Sequence, residues 1–439
     1  MFLNLMLWAA VFLAVYMLLY FNKNIWNRVL YFLPIILVTM QIVALISIFI
    51  TDSSAYSESD KSLHLSTDEM FTYSKNDNTL VYVLDRLDYD YIEEVLNDNP
   101  NFFDELDGFT SYTNAISEFA RTRPGLNYIF TNYEHFYKKP VADCFYESFS
   151  NNTFLEDISI ARYKINFYTD FDSMFANAES LQKYVSNLTS KARKINIMNA
   201  VQTLTTLSAY RFSPIALKPF FWCYTDDVNK NIYLKNEAYQ IDETIYNEGI
   251  DSFDFKKNTG FFKAYHFNGS HNPWTLKEDG TENIAGTSSL EQTKGSFQIL
   301  FNAFKKMKEL GIYNQASIII TADHGWAVYD YRPLTKATKI GMFYKPSGSA
   351  GTPLAFSRAP VSHKNIPATI AKSIGIDYEK YGRPIDEIAE DENIVRLFYK
   401  SVAQGSHEKK LYVYEVRGDA SDFNNWVNTD IQDIDYPMY

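Results

Sequence analysis

The sequence predicts an α/β domain, with a central, mostly parallel sheet flanked by helices, preceded by two transmembrane helices. Three observations point there. Apolar, β-branched runs end abruptly at acids, as in Thr79-Leu-Val-Tyr-Val-Leu84 before Asp85 and Ile318-Ile-Ile-Thr321 before Ala322-Asp323-His324-Gly325. Such runs read as strands buried on both faces, the habit of parallel sheets. Segments of helical period lie between them, and two long apolar stretches stand ahead of them.

The apolar stretches come first in the chain. Met1 to Phe21 holds one strongly polar residue, Asn4, and Val29 to Ile50 is interrupted only by Pro34, Thr39, Gln41 and Ser47. Each is long enough to cross a hydrocarbon core of about 30 Å as a helix. A cleaved signal peptide fits the first run poorly, because it lacks a basic leader and a small-residue cleavage site. Lys23 and Arg28 lie in the loop between the runs, and acidic, Ser-rich sequence follows Ile50. Positive charge marks the cytoplasmic side. The expectation is a two-span anchor over residues 1–50 in the cell membrane, with everything beyond it extracytoplasmic.

Residues 51–77 read as a polar linker and the chain beyond it as one large α/β domain, with residues 396–439 a C-terminal extension of that domain. Within the domain, Asp88 to Leu96 reads as a helix after the first strand. Residues 140–250 are polar and Tyr/Asn-rich, and read as an insertion with a helix near 177–200. Phe261 to Phe267 reads as a strand. Leu290 to Leu310 reads as an amphipathic helix, since Phe297, Phe301, Phe304 and Met307 recur at steps of four and three. A strand over Ile340–Tyr344, a helix over Ile366–Ile374 and a late edge strand over Leu411–Val416 complete the reading.

Net charge is −12, with no Lys/Arg-rich block, which argues against nucleic acid as a partner. The two cysteines, Cys144 and Cys223, form no CxxC pair, so a cysteine metal site is excluded, while a single disulfide stays open.

Four pieces carry chemistry. Asp85 ends the first strand, where ligand crevices open in α/β sheets. Thr122 lies in Ser117-Glu-Phe-Ala-Arg-Thr-Arg-Pro-Gly125, two residues before Pro124, which places it at a helix N-terminus. Unpaired N–H groups there favour an anion and would ease ionisation of the hydroxyl. Asp323-His324 ends another strand. His266 and His271 bracket a Gly-Ser turn at the end of a third. Oxygen donors with one imidazole suit a single Mn²⁺, Mg²⁺ or Zn²⁺ ion. Asp85, Thr122, Asp323 and His324 form the expected ligand set, and His266 and His271 would meet the substrate or carry a proton. Arg121 and Arg123 flank Thr122 and suit phosphate oxygens.

Taken together, these motifs resemble the alkaline phosphatase/sulfatase superfamily over about residues 78–395. The nearest likeness is its membrane-anchored branch of lipoteichoic acid synthases and phosphoethanolamine transferases. The resemblance implies a nucleophilic Thr122, one metal held by Asp85, Thr122, Asp323 and His324, and a substrate-side His271. His363-Lys-Asn-Ile-Pro-Ala-Thr369 is similar to a His-x-Asp-x-x-Pro-Thr stretch, with Asn365 and Ala368 as departures, so His363 is a weaker candidate. Neither cysteine stands in a formylglycine setting, which argues against the sulfatase mechanism. That branch carries Glu where this chain has Asp85, so nearby Asp88 is an alternative ligand. A second-metal Asp-x-x-x-His pair occurs only as Asp60…His64, before the first strand.

The resulting expectation is a phosphotransferase. Thr122 would take a phospho-head group, of phosphoglycerol or phosphoethanolamine type, from a membrane lipid donor and pass it to a cell-surface glycan or lipid. A hydrolase using the same site is the alternative. A non-catalytic surface-binding protein, from another class, is disfavoured by the intact donor set.

Overall fold

The computed structural model describes residues 2–437 apart from 22, 52–62, 135–136, 151, 170–173, 175–178, 191–194, 224–231, 233–242, 257, 284 and 326–330. The chain forms two compact units, one from residues 1–62 with 190–238 and the other from 63–189 with 239–439.

The first unit contains α1 (Phe2–Phe21) and α2 (Lys23–Thr51). Lys23–Val43 is long and apolar enough to cross a membrane, and Met6–Phe21 is a shorter apolar helix. Among the described residues, length and composition therefore support one span where two were expected.

The second unit is built on a seven-stranded sheet. In chain order the second unit has β1 (His64–Leu65), β2 (Thr72–Ser74), β3 (Asn78–Leu84), α3 (Tyr89–Asp98), β4 (Thr110–Tyr112) and α4 (Thr122–Thr131). It continues with α5 (Val141–Ser150), α6 (Thr153–Ile160), β5 (Tyr163–Tyr168) and β6 (Leu188–Thr189). The first unit then contributes α7 (Ile197–Phe212). Back in the second unit follow α8 (Glu243–Gly249), β7 (Asp254–Lys256), β8 (Gly260–Phe267), α9 (Ser289–Glu309), β9 (Ala316–Thr321), β10 (Met342–Lys345), β11 (Ala355–Ser357) and α10 (Ile366–Ile374). A separate antiparallel sheet of β12 (Arg396–Gln404), β13 (His407–Val416) and β14 (Trp426–Pro437) ends the chain.

The large sheet runs β11-β4-β10-β9-β3-β8-β5, and only β10 is antiparallel to its neighbours. β3, β8 and β9 are buried along their whole length, as their apolar sequences require. Register sets Val83 beside both His266 and Thr321, so the three strands end level and deliver their following residues to one place. Helix α9 starts in a capping box, Ser288 with Glu291, and buries its Phe297, Phe301, Phe304 and Met307 stripe in the core.

Several expectations change. Residues 63–77 belong to the fold, not to a linker, whereas 52–62 lie outside the described residues. Leu63, Leu65, Met70 and Tyr73 are buried in the main core. The reason is visible in β8. Buried Lys263 donates to the carbonyls of Glu69, Met70 and Thr72, and its ammonium lies 4.7 Å from the centre of the Tyr73 ring. Burial pushes that lysine well below its ordinary pKa. Tyrosines also fill this side of the sheet as one hydrogen-bonded cluster, with Tyr246 hydroxyl 2.7 Å from that of Tyr73 and 2.9 Å from that of Tyr82.

The expected insertion over 140–250 is real only in part. Its first portion folds as α5, α6 and the sheet's edge strand β5, and the helix placed near 177–200 begins only at Ile197. Leu411–Val416 lies in the middle of the terminal sheet, not at an edge. Both cysteines are free.

Candidate metal centre

Asp85 leaves β3 directly into a turn that β8 supplies. Its N–H donates to the Phe267 carbonyl at 3.0 Å, and its own carbonyl accepts from the Ser270 N–H at 3.0 Å. Gly269, at φ +57°, makes this possible: a Cβ there would lie 2.5 Å from the Asp85 nitrogen. Gln292 and Ser296 of α9 both donate to the Gly269 carbonyl at 2.9 Å and fix the turn from behind. Gly269→Ala is expected to destabilise the protein by about 2 kcal/mol or more, since both the left-handed backbone and the space are denied. A thermal midpoint equal to that of the wild type would refute this.

Asp323 follows β9 and is fully buried. Its Oδ1 accepts two backbone N–H groups, from Arg86 at 2.9 Å and from His324 at 2.8 Å. These two bonds aim the remaining oxygen, Oδ2, at Asp85 and the histidines. His324 Nε2 lies 3.6 Å from Asp323 Oδ2 and 3.9 Å from Asp85 Oδ1. His266 Nε2 lies 3.6 Å from Asp85 Oδ2. One donor atom each from Asp85, His266 and Asp323 falls within 4.8 Å of the others.

The spacing is informative. It is too long for hydrogen bonds. Donors at about 2 Å from a shared ion stand roughly 3–4 Å apart, and the three histidine–carboxylate distances of 3.6, 3.6 and 3.9 Å fall in that range. Asp85 Oδ1 and Asp323 Oδ2 are also buried and accept no hydrogen bond among the described residues. Buried carboxylate oxygens are rarely left so, and a cation would satisfy both. The donor set therefore fits a divalent metal.

Electrostatics agree. Burial alone would raise the Asp85 carboxyl, but the close approach of the His266 imidazole and the charges of His271 and His324 outweigh it and hold its pKa at about 2. Asp85 stays ionised through the physiological range.

The helix that Thr122 begins lies against the Asp323 segment. Thr122 is the first residue of α4 and is half-buried; Arg121 is the N-cap and makes no side-chain capping bond. The first turn of α4 packs directly on the metal-side loop, because a Cβ on Gly125 would lie 2.5 Å from the Asp323 carbonyl oxygen. The glycine in Arg-Thr-Arg-Pro-Gly is thus a close-approach residue. Behind it, the terminal sheet packs against residues 116–120: Ile116 and Ala120 share a buried cluster with Phe398, Tyr414 and Trp426.

Of the predicted residues, the structure brings Asp85, Asp323 and His324 close to one another. His266 departs from its expected substrate-side place. It is fully buried among the donors, with Nδ1 3.3 Å from Thr169 Oγ1. His271 is half-buried and close enough for its charge to lower the Asp85 pKa. Arg121 is held from behind: its Nε bonds Glu408 at 2.9 Å and Ser401 at 3.0 Å, which ties the Thr122 turn to the terminal sheet. Arg123 stays on the α4 first turn, half-buried. Asp88 is a structural residue and not an alternative ligand. It caps α3 through the Asp90 N–H at 3.0 Å and accepts from Thr338 Oγ1 at 3.2 Å.

His363 is a strut. Its Nε2 lies 2.8 Å from the Ala322 carbonyl and its Nδ1 accepts from the Glu118 N–H at 3.5 Å, joining the Asp323 segment to the Thr122 segment. Burial lowers its pKa to about 4, so it is neutral. Two residues escaped sequence reasoning. Thr169 lies outside any motif, and Glu118, whose pKa burial raises to about 8, reads in sequence as an ordinary surface acid.

Three parallel strands open onto a buried Asp-His-Asp group that could hold a metal ion. The chain has the fold of the alkaline phosphatase superfamily. It aligns with a protein of that superfamily from Vibrio parahaemolyticus over 85% of each chain, at 14% identity and TM-score 0.50. A phosphonate monoester hydrolase from Silicibacter pomeroyi aligns over 82% of this chain and 89% of its own, at 12% identity and TM-score 0.48. A lipoteichoic acid synthase from Listeria monocytogenes aligns over 87% and 91%, at 13% identity and TM-score 0.45. No family model matches the sequence, and no curated protein matches it.

Proposed function

We propose that this chain is a membrane-anchored, metal-dependent phosphotransferase with Thr122 as nucleophile. The observation that carries the reading is the convergence of Asp85, His266, Asp323 and His324, with two orphaned carboxylate oxygens, beside the helix turn that bears Thr122. A divalent ion bound there, Mn²⁺, Mg²⁺ or Zn²⁺, would favour the ionised Thr122 hydroxyl and neutralise a phosphoryl oxygen.

The residues then divide the work. Thr122 Oγ forms a bond to phosphorus of the lipid head group as the bond from phosphorus to the lipid oxygen breaks. That oxygen takes up a proton, which half-buried His271 would donate. The positive end of the α4 dipole and Arg123 hold the phosphoryl oxygens. An acceptor hydroxyl on a cell-surface glycan or lipid next attacks the phospho-threonine and restores Thr122. The chain enters the membrane as a two-span hairpin, with the Lys23–Arg28 loop inside and the catalytic unit outside.

The test uses full-length protein, a divalent salt, a phospholipid labelled in its head group and isolated cell-envelope glycan. Label on the glycan or on a second lipid supports transfer. Label released as free head group makes the protein a hydrolase of the same site. Unchanged donor under all metals overturns the enzymatic reading.

A further inference from the structure

Between Thr189 and Tyr239 the chain leaves the catalytic unit, joins the unit that holds α1 and α2, and returns. Its helix α7 has no buried residue. Ile197, Val201 and Leu204, at steps of four and three, share one face, and Met198 and Phe212 flank it. These five are 75%, 55%, 56%, 75% and 68% exposed in that order, and Phe220 in the following turn is 80% exposed. In α2, the apolar Ile36 and Val38 are each 53% exposed. A helix that shows as much apolar surface as a membrane span has found no protein core among the described residues.

We infer that the segment 195–223 lies in the lipid interface as a second membrane contact, with its apolar face in the outer leaflet. Three independent features favour lipid as the occupant. The first is charge: residues 190–223 carry Lys191, Arg193, Lys194, Arg211 and Lys218 and no acidic residue, in a chain of net charge −12. An anionic head-group layer complements that pattern. The second is the polar edge of the apolar face. Lys218 Nζ lies 4.9 Å from the Tyr210 ring centre and Arg211 lies 5.8 Å from that of Phe212, the aromatic-cation composition of membrane interfaces. The third is continuity with the anchor. The Ile215 N–H donates to Asn4 Oδ1 at 3.0 Å, and Asn4 sits in the first turn of α1. With the Lys23–Arg28 loop inside, that turn is the outer end of the span, where an interfacial segment must meet it. A lipid-seated insertion of this kind would keep the catalytic unit at the membrane by a contact separate from the hairpin.

The experiment places an environment-sensitive fluorophore on single cysteines in full-length protein reconstituted in anionic lipid nanodiscs, with Cys144 and Cys223 changed to Ser. Probes at Ile197, Val201 and Phe220 are expected to lose emission to nitroxide lipids labelled near the head group and to resist aqueous iodide. Probes at Gln202 and Thr206, on the opposite face, should show the reverse. Iodide quenching at Ile197, Val201 and Phe220 overturns the inference, and so does protection from both quenchers, which would mean a protein partner or a second copy. A probe at Val38 of α2 separates the two readings. Lipid quenching there with iodide quenching on α7 leaves the anchor standing and removes only the interfacial contact; iodide quenching at both removes both.

Discussion

Thr122→Ala is expected to lower turnover by roughly 10⁴-fold or more while leaving fold and metal content intact. A covalent nucleophile has no substitute within its site, and losses of that order or larger follow its removal. The competing role for a threonine at a helix start is capping, and alanine there would cost about 1 kcal/mol. The structure removes that role: Arg121 holds the cap position and Thr122 is already helical. A thermal midpoint close to wild type together with lost transfer would therefore isolate chemistry from folding. Retained turnover in the variant would sink the covalent mechanism.

Asp323→Asn separates the metal from the scaffold. Asparagine keeps an oxygen for the Arg86 and His324 N–H groups at the Oδ1 position, so the loop should hold its shape. What it removes is the buried negative charge on Oδ2, which has no hydrogen-bond partner among the described residues. Without metal, the wild type must bury this charge close to that of Asp85, at a cost that the variant avoids. The metal-free variant should accordingly melt no lower than the metal-free wild type. Adding Mn²⁺ or Zn²⁺ should raise the wild-type midpoint, since saturation at a hundredfold over Kd contributes about 2.7 kcal/mol. The variant should gain little, retain less metal by elemental analysis, and lose roughly 10²-fold or more in activity. Equal metal retention in both proteins would exclude Asp323 as a ligand.

The site was legible where chemistry and local pattern coincide. Asp85 and Asp323 could be read because each ends an apolar run, and the strands those runs form are adjacent to one another in the sheet. His324 came with its neighbour. His266 was misread because a histidine within Phe-Phe-Lys-Ala-Tyr-His-Phe gives no sign of which face it uses, and the register against Val83 decides that. Arg121 looked like a phosphate binder until its partner Glu408, distant in sequence, was placed beside it by the terminal sheet. The linker reading failed for a related reason. Residues 66–69 and 72 are polar in sequence, yet the carbonyls of Glu69 and Thr72 satisfy a buried lysine almost 200 positions away. Edge strand β5 mixes Lys164 and Asn166 with aromatics, and its pattern is clear only once the neighbour β8 is known. Long-range polar pairing of this kind leaves no local periodicity to read.

The route of the chain between its two units bears on shedding from the cell surface. A single cut within residues 52–62 would be the simplest way for a protease to release an ectodomain. Here a single cut would not suffice, because the catalytic unit also leads into the insertion at Thr189 and out of it at Tyr239. With that insertion seated in lipid and bonded to Asn4, the severed enzyme would remain on the membrane. Release would then require the insertion itself to be excised or extracted as well.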